Sequence, residues 1–277
     1  MARELEIVIP LRDPSEVFQR TIASVIAQTD RNFAVLLSDN YSSRGADFID
    51  EAVRLLEGAN IPVRRVTPPE PIGRVEHWNW SHRQAESEWI KPLFVGDWLG
   101  DTYVEKTLRL AREEPDTDIV TCSIGILNPD GKRDETRYRG GYQSPEEVLA
   151  AAFQAGNCFG GPINICFKRL TFDLIGGYPP ALPVSADFWV ILMLALRKGL
   201  KASSEVLAYF NFHPDRFSMN FPRERIDGPR EFVSILTAAT SFAAFHGIPH
   251  KVTTRNKLLL RVMLAEFKRR LEARRVP

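Results

Sequence analysis

The sequence has little of several features that would assign it directly to a class of protein. Its 277 residues include three cysteines, Cys122, Cys158 and Cys166, which is an odd number without the spacing of a zinc site. This predicts buried free thiols in a reducing cytoplasm. With 36 basic against 35 acidic residues, the net charge is +1, so no overall field favours nucleic acid as a partner.

Long apolar runs are also missing. The longest, VILMLAL at residues 190–196, lies between Asp187 and Arg197 and is far shorter than the roughly 20 residues of a membrane span. The first ten residues, MARELEIVIP, lack the basic-then-apolar layout of a signal peptide. We therefore expect a cytoplasmic protein.

A glycine-rich loop is absent where a dinucleotide-binding protein needs one. Residues 10–14, which follow the first apolar run, read PLRDP and contain no glycine. A dehydrogenase requires Gly-x-Gly-x-x-Gly at this point so that the backbone can approach a pyrophosphate. A nucleotidyltransferase of similar fold would also need glycines here, so both classes are excluded.

What is present is an alternation of strand and helix signals. Compact apolar runs typical of buried parallel strands alternate with helical periodicity, which predicts right-handed crossovers and an α/β fold with a Rossmann-like, mostly parallel central sheet flanked by helices. The predicted strands are 5–9, 33–37, 62–66, 89–95, 119–127 and 207–212. The predicted helices are one from residue 15, then 48–57, 76–85, 102–113, 145–155, 188–197 and a helical stretch from residue 229 onwards.

Three loops follow predicted strands and each contains an aspartate. They are residues 10–13, 38–43 and 96–101. In open α/β sheets, ligands bind beyond the carboxyl ends of the strands. These loops therefore predict a binding site in the N-terminal half.

The order of the motifs resembles that of family 2 glycosyltransferases, which have the GT-A fold and use nucleotide sugars. The resemblance lies in EIVIPLRDP with TIASVIAQTDRNFAVLLSDNYSS, in PIGRVEHWNWSHRQAESEWIKPLFVGDWL, in GGPINICFKRLTFDLIGGYP, in SADFWVILMLALRKG and in YFNFHPDRFS. It implies a GT-A domain over residues 1–225, with a nucleotide-binding half at 1–101 and an acceptor half at 102–225. Residues 226–277 would form a helical C-terminal extension.

The resemblance implies a donor site at the ends of the first two strands. Asp39 would accept a hydrogen bond from the base, commonly uracil, and Asn40, which replaces a second aspartate, would bond ribose or base. Pro10, Leu11 and Arg12 would border the nucleotide. A plain turn at Asp39-Asn40 and a solvated Arg12 are the alternatives.

Two arginines are candidates for contact with the diphosphate. Arg74 follows Pro-Ile-Gly, and a guanidinium binds phosphate oxygens with two parallel bonds. Arg216 follows the late His-Pro-Asp segment and could serve the same group. Arg74 could instead cover Trp78 or Trp80 at the surface.

The metal site of the family is incomplete here. Asp97 stands in the Asp-x-Asp region, but Phe94 and Gly96 occupy the other acidic positions. The resemblance implies Mn²⁺ or Mg²⁺ held by Asp97 and His213, with Asp101 as a further carboxylate; a weak metal, or cationic side chains in its place, is the alternative. His213 could also be structural.

Asp187 is the candidate catalytic base. It matches the aspartate of the family's Glu-Asp motif, with Ala186 in place of the glutamate. A carboxylate near the acceptor hydroxyl can take its proton during an inverting transfer. Alternatively, Asp187 caps the helix that follows.

The resulting hypothesis is an inverting transfer of sugar from a nucleotide-diphosphate sugar, with UDP as carrier, to a saccharide or lipid-linked saccharide in glycan or polysaccharide biosynthesis. A non-catalytic nucleotide- or glycan-binding protein is the alternative. Residues 251–275 combine apolar and basic side chains. They could lie on the inner face of an anionic membrane, pack back on the domain or form a homodimer.

Overall fold

The computed structural model describes residues 3–128, 130–212 and 227–249. The strands are β1 Leu5–Leu11, β2 Phe33–Asp39, β3 Val63–Val66, β4 Trp89–Pro92, β5 Trp98–Leu99, β6 Ile119–Leu127, β7 Arg133–Thr136, β8 Gly141–Gln143, β9 Ile165–Lys168 and β10 Leu200–Asn211. The helices are α1 Val17–Ile26, α2 Ala46–Gly58, α3 Arg74–Arg83, α4 Tyr103–Glu113, α5 Pro145–Ala155, α6 Arg169–Leu174, α7 Ala186–Lys198 and α8 Asp227–Phe245. A 3₁₀ turn spans Pro162–Asn164.

All described strands join one sheet, whose main path has the order β3-β2-β1-β4-β9-β6-β10-β5. Strand β1 is parallel to β2 and β4, β2 is parallel to β3, and β6 is parallel to β10. Strand β9 runs antiparallel between β4 and β6, so the directions of β4 and β6 agree. The predicted mostly parallel α/β sheet is confirmed, and the carboxyl ends of β1, β2, β4 and β6 point to the same edge.

The sheet is covered by helices on both faces. In β1, the side chains of Leu5, Ile7 and Ile9 enter one apolar core, while Val8 enters the other. This two-sided burial explains why the strand is a continuous apolar run. The first core is formed with α1, α2 and α4, and the second with α5, α7 and α8.

Helix α8 belongs to the body of the domain. Its buried residues Ile235, Leu236 and Ala239 enter the core shared with α5 and α7. The ring of Phe232 stacks on that of Phe188 in α7 at 5.2 Å between centroids. The described part of the predicted C-terminal extension therefore packs against α5 and α7.

Several boundaries differ from the sequence prediction for local reasons. Strand β4 ends at Pro92, three residues early, because residues 94–97 form a turn in which Asp97 N–H donates to the Phe94 carbonyl at 3.0 Å and Gly96 has φ +93°. Strand β10 begins at Leu200, before the predicted 207. Strand β9 was missed, because its four residues have no alternating pattern.

Three further expectations concern cysteines, membrane spans and the C-terminus. All three cysteines are free; Cys122 and Cys166 are buried as predicted, whereas Cys158 is half-buried. No helix in the described part of the chain is long and apolar enough to cross a membrane. His213, Arg216 and residues 251–275 lie outside the described residues.

Candidate active site

The loops after β1 and β2 are joined by a network around Asp13. Its carboxylate Oδ1 accepts hydrogen bonds from the backbone N–H groups of Ser43 at 2.6 Å and Arg44 at 3.0 Å. The Asp13 N–H donates to Ser42 Oγ at 2.8 Å. The N–H bonds to its carboxylate, that of Arg44 first, lower the pKa of Asp13. Two of the three loops predicted to form a site are thus held together.

Asp39 ends β2 and is almost fully buried. Its Oδ1 accepts from the N–H of Ser42 at 3.0 Å and from the hydroxyl of the same residue at 2.6 Å. Its Oδ2 accepts from Arg65 at 3.1 Å, and Arg65 also reaches Asp50 at 2.9 Å. A carboxylate has about four lone-pair positions, so three bonds leave one for a ligand N–H.

Asn40 fixes the loop before α3 to the end of β2. Its side-chain amide donates to the Ile72 carbonyl at 2.8 Å and accepts from the Ile72 N–H at 3.1 Å. Its backbone N–H donates to the Leu11 carbonyl at 3.0 Å. Tyr41 adds a bond from its hydroxyl to the Pro69 carbonyl at 2.8 Å. Asn40 therefore bridges the ends of β1 and β2 to the segment that leads into Arg74.

The end of β1 contributes two buried residues and one exposed cation. Pro10 and Leu11 are buried and Arg12 is exposed. The charge of Arg12 acts on His77, whose ring Nε2 lies 2.9 Å from Ser38 Oγ in β2. Burial is the main reason that the pKa of His77 falls to about 4, so this ring is neutral at neutral pH. Sequence reasoning missed His77, which carries no motif.

Arg74 is the first residue of α3, and its side chain reaches the segment before α7. Its guanidinium donates to the Pro183 carbonyl at 2.6 Å and lies over the Trp78 ring at 4.4 Å. Burial lowers its pKa, and the negative charges of Asp187 and Glu231 oppose that change. Arg74 thus covers the Trp78 ring, which was the alternative to a contact with the diphosphate. Its charge also interacts with that of Asp187.

Asp187 lies in the first turn of α7. The N-cap of this helix is Ser185, so the alternative in which Asp187 is the cap is wrong. The Asp187 Oδ1 accepts from the Phe188 N–H at 2.8 Å. Gly161 lies close by, since a Cβ placed on it would be 3.4 Å from Asp187 Oδ2.

The electrostatic surroundings make Asp187 a stronger base than an ordinary aspartate. Desolvation raises its pKa from 3.8 to about 6, with Glu231 acting in the same direction. Backbone N–H groups and the charge of Arg74 act against that rise. The carboxyl group is thus ionised at pH 7 yet has a raised proton affinity, which suits a general base.

Glu231 of α8 is a further residue of the site that sequence reasoning missed. It is 5% exposed, and its carboxylate accepts from the backbone N–H groups of Val184 at 3.1 Å and Ser185 at 2.7 Å. It therefore holds the chain at the start of α7, two residues before Asp187. No local pattern could have revealed it, because α8 is distant in sequence.

Two buried side chains hold the loop of residues 159–163, which contains Gly161. The Asn164 amide accepts from the Gly161 N–H at 2.9 Å and donates to the Phe159 carbonyl at 3.0 Å. The Lys91 ammonium, which has no exposed surface, donates to the Pro162 carbonyl at 3.0 Å and to two further carbonyls. Burial lowers the pKa of Lys91 to about 8.

Asp97 does not form a metal site with the other described residues. It is fully buried, and its Oδ1 accepts from the Asn211 N–H at 3.0 Å, which ties the β4–β5 turn to β10. Within the described ranges there is no group of three His, Cys, Asp or Glu side chains placed to hold a metal ion. The metal role of His213 stays a prediction, since it lies outside those ranges.

Hydrogen bonds link the end of β2 to the segment before α7. Asn40 holds Ile72, and Arg74, two residues on, bonds to Pro183, four residues before Asp187. Of the predicted site residues, Pro10, Leu11, Arg12, Asp39 and Asn40 lie at or just beyond the carboxyl ends of β1 and β2. Asp97 lies in the turn after β4 and is bonded to Asn211 at the end of β10.

The chain has the GT-A fold, which it shares with solved structures of glycosyltransferases. The chain is similar to S. aureus TarS 1–349 in complex with UDP, with a TM-score of 0.67 and 12% identity over 96% of this chain and 72% of that chain. The same TarS region in complex with UDP-GlcNAc gives a TM-score of 0.68 at 12% identity over 94% of this chain and 71% of that one.

A second structural neighbour is a mannosyltransferase. PcManGT from Pyrobaculum calidifontis, in complex with GDP-Man and Mn²⁺, has a TM-score of 0.57 and 12% identity over 96% of this chain and 81% of that chain. Neither a protein-family model nor a curated protein sequence matches the chain. At 12% identity, these likenesses establish the fold.

Proposed function

We propose that the chain is an inverting glycosyltransferase of family 2. It moves a sugar from a nucleoside-diphosphate donor, UDP foremost, to a hydroxyl of a saccharide or lipid-linked saccharide in glycan or polysaccharide biosynthesis. The observation that carries the proposal is Asp187, whose carboxyl group has a pKa of about 6. Hydrogen bonds from Asn40 to Ile72 and from Arg74 to Pro183 connect the segment before it with the end of β2.

The donor base is recognised at Asp39. Its one remaining lone-pair position suits the imide N–H of uracil, and leaving such a buried acceptor unpaired costs about 1–3 kcal/mol. Pro10, Leu11 and Arg12 border the nucleotide at the end of β1. Both polar groups of the Asn40 side chain already bond to Ile72, so its role is to position the loop that carries Arg74.

The chemical step is a direct displacement assisted by Asp187. The acceptor oxygen forms a bond to the anomeric carbon as the bond from that carbon to the diphosphate oxygen breaks. The hydroxyl proton passes to Asp187, and the leaving diphosphate keeps the electron pair. Attack from the face opposite the diphosphate inverts the anomeric configuration.

Positive charge for the leaving diphosphate comes from Arg74, beside the reacting groups, and in our proposal also from Arg216. A guanidinium stabilises the phosphate oxygens through paired N–H bonds. Among the described residues no three His, Cys, Asp or Glu side chains are grouped as metal ligands, so the proposed step uses the side chains of the protein alone. Mn²⁺ or Mg²⁺ at Asp97 and His213 stays a prediction, and PcManGT was solved with Mn²⁺.

Thermal-shift measurements with UDP, GDP and dTDP test the donor site. A nucleotide that binds the native state alone raises the melting temperature, by an amount equivalent to about 2.7 kcal/mol at 100 times its Kd. We expect one nucleotide to stabilise the protein far more than the other two. Each is measured with and without Mn²⁺, which tests the metal prediction directly. No response to any of them would contradict the proposal.

A non-catalytic nucleotide- or glycan-binding protein is the second candidate. It is favoured by Phe94 and Gly96, which replace acidic residues of the Asp-x-Asp region. The raised pKa of Asp187 argues against it, because a purely structural carboxylate gains nothing from desolvation. Release of free nucleotide from a UDP-sugar in the presence of saccharide acceptors decides between them. Nucleotide binding without any such turnover would favour the non-catalytic candidate.

The basic and apolar segment 251–275 supports a proposed contact with an anionic membrane at the cytoplasmic face, or a homodimer. Co-sedimentation with vesicles of anionic lipid, compared with vesicles of neutral lipid, tests the first. Sedimentation equilibrium of the full chain tests the second. Truncation after residue 249 should abolish whichever of the two is observed.

A further inference from the structure

Lys91 on β4 is a charged group in the interior of the domain that the proposed reaction does not use directly. Its side chain has no exposed surface. Burial of an ammonium group is strongly unfavourable unless hydrogen-bond acceptors replace the water that it loses. The acceptors that surround Lys91 therefore indicate what its charge stabilises.

The three protons of the ammonium group match three backbone carbonyl groups. Lys91 Nζ donates to the carbonyl of Pro162 at 3.0 Å, to that of Ile163, and to that of Ile165 at 3.3 Å. The 3₁₀ turn Pro162–Asn164 lies within this segment, and the last carbonyls of a helical turn have no partner inside the turn itself. Lys91 satisfies these carbonyls in place of water.

The segment held by Lys91 continues directly to the candidate base. Gly161 precedes Pro162, and its N–H donates to the buried Asn164 side chain at 2.9 Å. A Cβ placed on Gly161 would lie 3.4 Å from Asp187 Oδ2. The carbonyl that Lys91 holds at Pro162 is thus one residue away from backbone that lies beside the Asp187 carboxylate.

The charge of Lys91 is sensitive to pH because of its surroundings. Burial lowers its pKa to about 8, while Cys122 on β6, Cys166 on β9 and Asp97 in the turn after β4 act in the opposite direction. Burial raises the pKa of both thiols to about 12, so they are neutral near pH 8.

Two further titratable groups face Lys91 from the helices. The Tyr103 ring of α4 lies 5.1 Å from the ammonium group, and burial raises the pKa of its hydroxyl, which donates to the Ile165 carbonyl at 3.4 Å. Burial lowers the pKa of His82 on α3 to about 4, so this ring is neutral. Near pH 8, neither group changes its charge together with Lys91.

We propose that Lys91 is a positioning residue for the transfer step, because its ammonium group holds the backbone of residues 161–165 in place beside the Asp187 carboxylate. This inference rests on the proposed function, since Asp187 is the base of that reaction. A neutral amine has two N–H donors, so the loss of a proton leaves one of the three carbonyls without its partner and loosens this backbone. Transfer then slows, since it depends on accurate placement of the reacting groups.

The pH dependence of the wild-type transfer rate between pH 7 and 9.5, at saturating donor and acceptor, tests this role without any variant. The plateau that follows ionisation of Asp187 should end near pH 8, and the rate should fall at least 10-fold by pH 9.5. A rate that stays constant over this range would overturn the inference.

Lys91→Met separates the loss of this charge from other alkaline effects. Methionine fills similar space without a charge, so at pH 7 the variant should show the low rate of the wild type at pH 9.5, with little further fall as the pH rises. The donor KM should stay unchanged. A variant with the wild-type rate at pH 7, or with the same fall between pH 7 and 9.5, would contradict the role of Lys91.

Hydrogen exchange followed by mass spectrometry measures the backbone independently of catalysis. At pH 7, peptides that span residues 157–167 should exchange at least 10-fold faster in Lys91→Met than in the wild type, whereas those that span residues 38–44 should not change. Lys168→Met on β9 is the matched control, because Lys168 donates to the Pro115 carbonyl and to none of the three carbonyls that Lys91 holds. It should leave both exchange and transfer unchanged.

The two measurements distinguish failure of this inference from failure of the proposed function. Unchanged exchange of residues 157–167 in Lys91→Met refutes the role of Lys91, even if the protein transfers sugar. A wild-type protein that shows neither transfer nor a nucleotide thermal shift refutes the proposed function, whatever the exchange of this segment shows.

Discussion

Two carboxylates at the same edge of the sheet are held in opposite ways. Asp39 accepts three hydrogen bonds, one of them from the guanidinium of Arg65. Asp187 accepts from backbone N–H groups, with a second carboxylate, Glu231, and the cation Arg74 nearby, and desolvation raises its pKa to about 6. The first carboxylate is held in place by donated hydrogen bonds, whereas burial raises the pKa of the second and so prepares it to take a proton.

The loops around the two carboxylates also differ in which parts of the chain hold them. The donor side is built from local loops that follow β1 and β2 and are joined through Asp13 and Asn40. The acceptor side depends on distant elements, because Glu231 reaches it from α8 and Lys91 supports its loop from β4. A binding surface can be made from neighbouring turns, while a desolvated base needs several layers of the fold to enclose it.

Replacing the base should have the largest effect. Asp187→Asn should lower the transfer rate by about 10²–10⁴-fold, the usual contribution of a general base, while the nucleotide thermal shift stays nearly unchanged. Rates are measured as nucleotide release at saturating donor. A variant with wild-type turnover would show that Asp187 is not the base.

The same substitution should stabilise the protein. The folded pKa of Asp187 is raised from 3.8 to about 6, so its contribution is most favourable below pH 4 and is lost as pH rises through 6. This corresponds to an upper limit of about 3 kcal/mol at neutral pH. The amide oxygen of the Asp187→Asn variant can still accept from the Phe188 N–H, so melting at pH 8 should occur at a higher temperature than in the wild type. The gain should shrink at pH 4.

On the donor side, Asp39→Asn should weaken nucleotide binding by about 5- to 150-fold, which corresponds to about 1–3 kcal/mol for an unpaired buried partner. Asp50→Asn is the matched control, because Asp50 pairs with the same Arg65 but is exposed. Isothermal titration with the stabilising nucleotide measures both. Equal losses in the two variants would show that the effect comes through Arg65 and not through the base.

The two asparagines that fix loops should separate the two sides. Asn40→Ala should raise the donor KM by about 10-fold and leave the acceptor KM nearly unchanged, because it frees the loop that leads to Arg74. Asn164→Ala should raise the acceptor KM by a similar factor, and it should also cost at least about 2 kcal/mol of stability because it leaves buried partners unpaired. If both variants raised the same KM, the division into two sides would be wrong.

The smallest expected effect is on the pH dependence. The rate should rise with pH through about 6, as Asp187 loses its proton, and then level off. Glu231→Gln removes a like charge, so the acidic limb should move to lower pH; Arg74→Gln removes an opposite charge, so it should move to higher pH. Each displacement should be below about one pH unit. Profiles recorded at saturating donor separate these shifts from any loss of donor affinity, and two shifts in the same direction would contradict the electrostatic account.

The loops of the proposed donor site could be located from sequence because their determinants are local. A buried parallel strand is a continuous apolar run, and Asp39 directly follows one, so the carboxyl edge of β2 could be located without a structure. Asp187 was found through its resemblance to a motif. The alternative, in which Asp187 is the N-cap of α7, was wrong, because the N-cap is Ser185, two residues earlier. A helix boundary depends on backbone geometry that helix propensity does not fix.

The sequence by itself determined the order of strands and helices and the aspartates that follow the strands, because these follow from hydrophobic periodicity within short segments. Only the tertiary structure decided that Glu231 and Arg74 lie near Asp187 and that Asp97 is buried and bonded to the end of β10. The physical reason is that desolvation and electrostatic fields depend on distances between residues far apart in the chain, which no local pattern records.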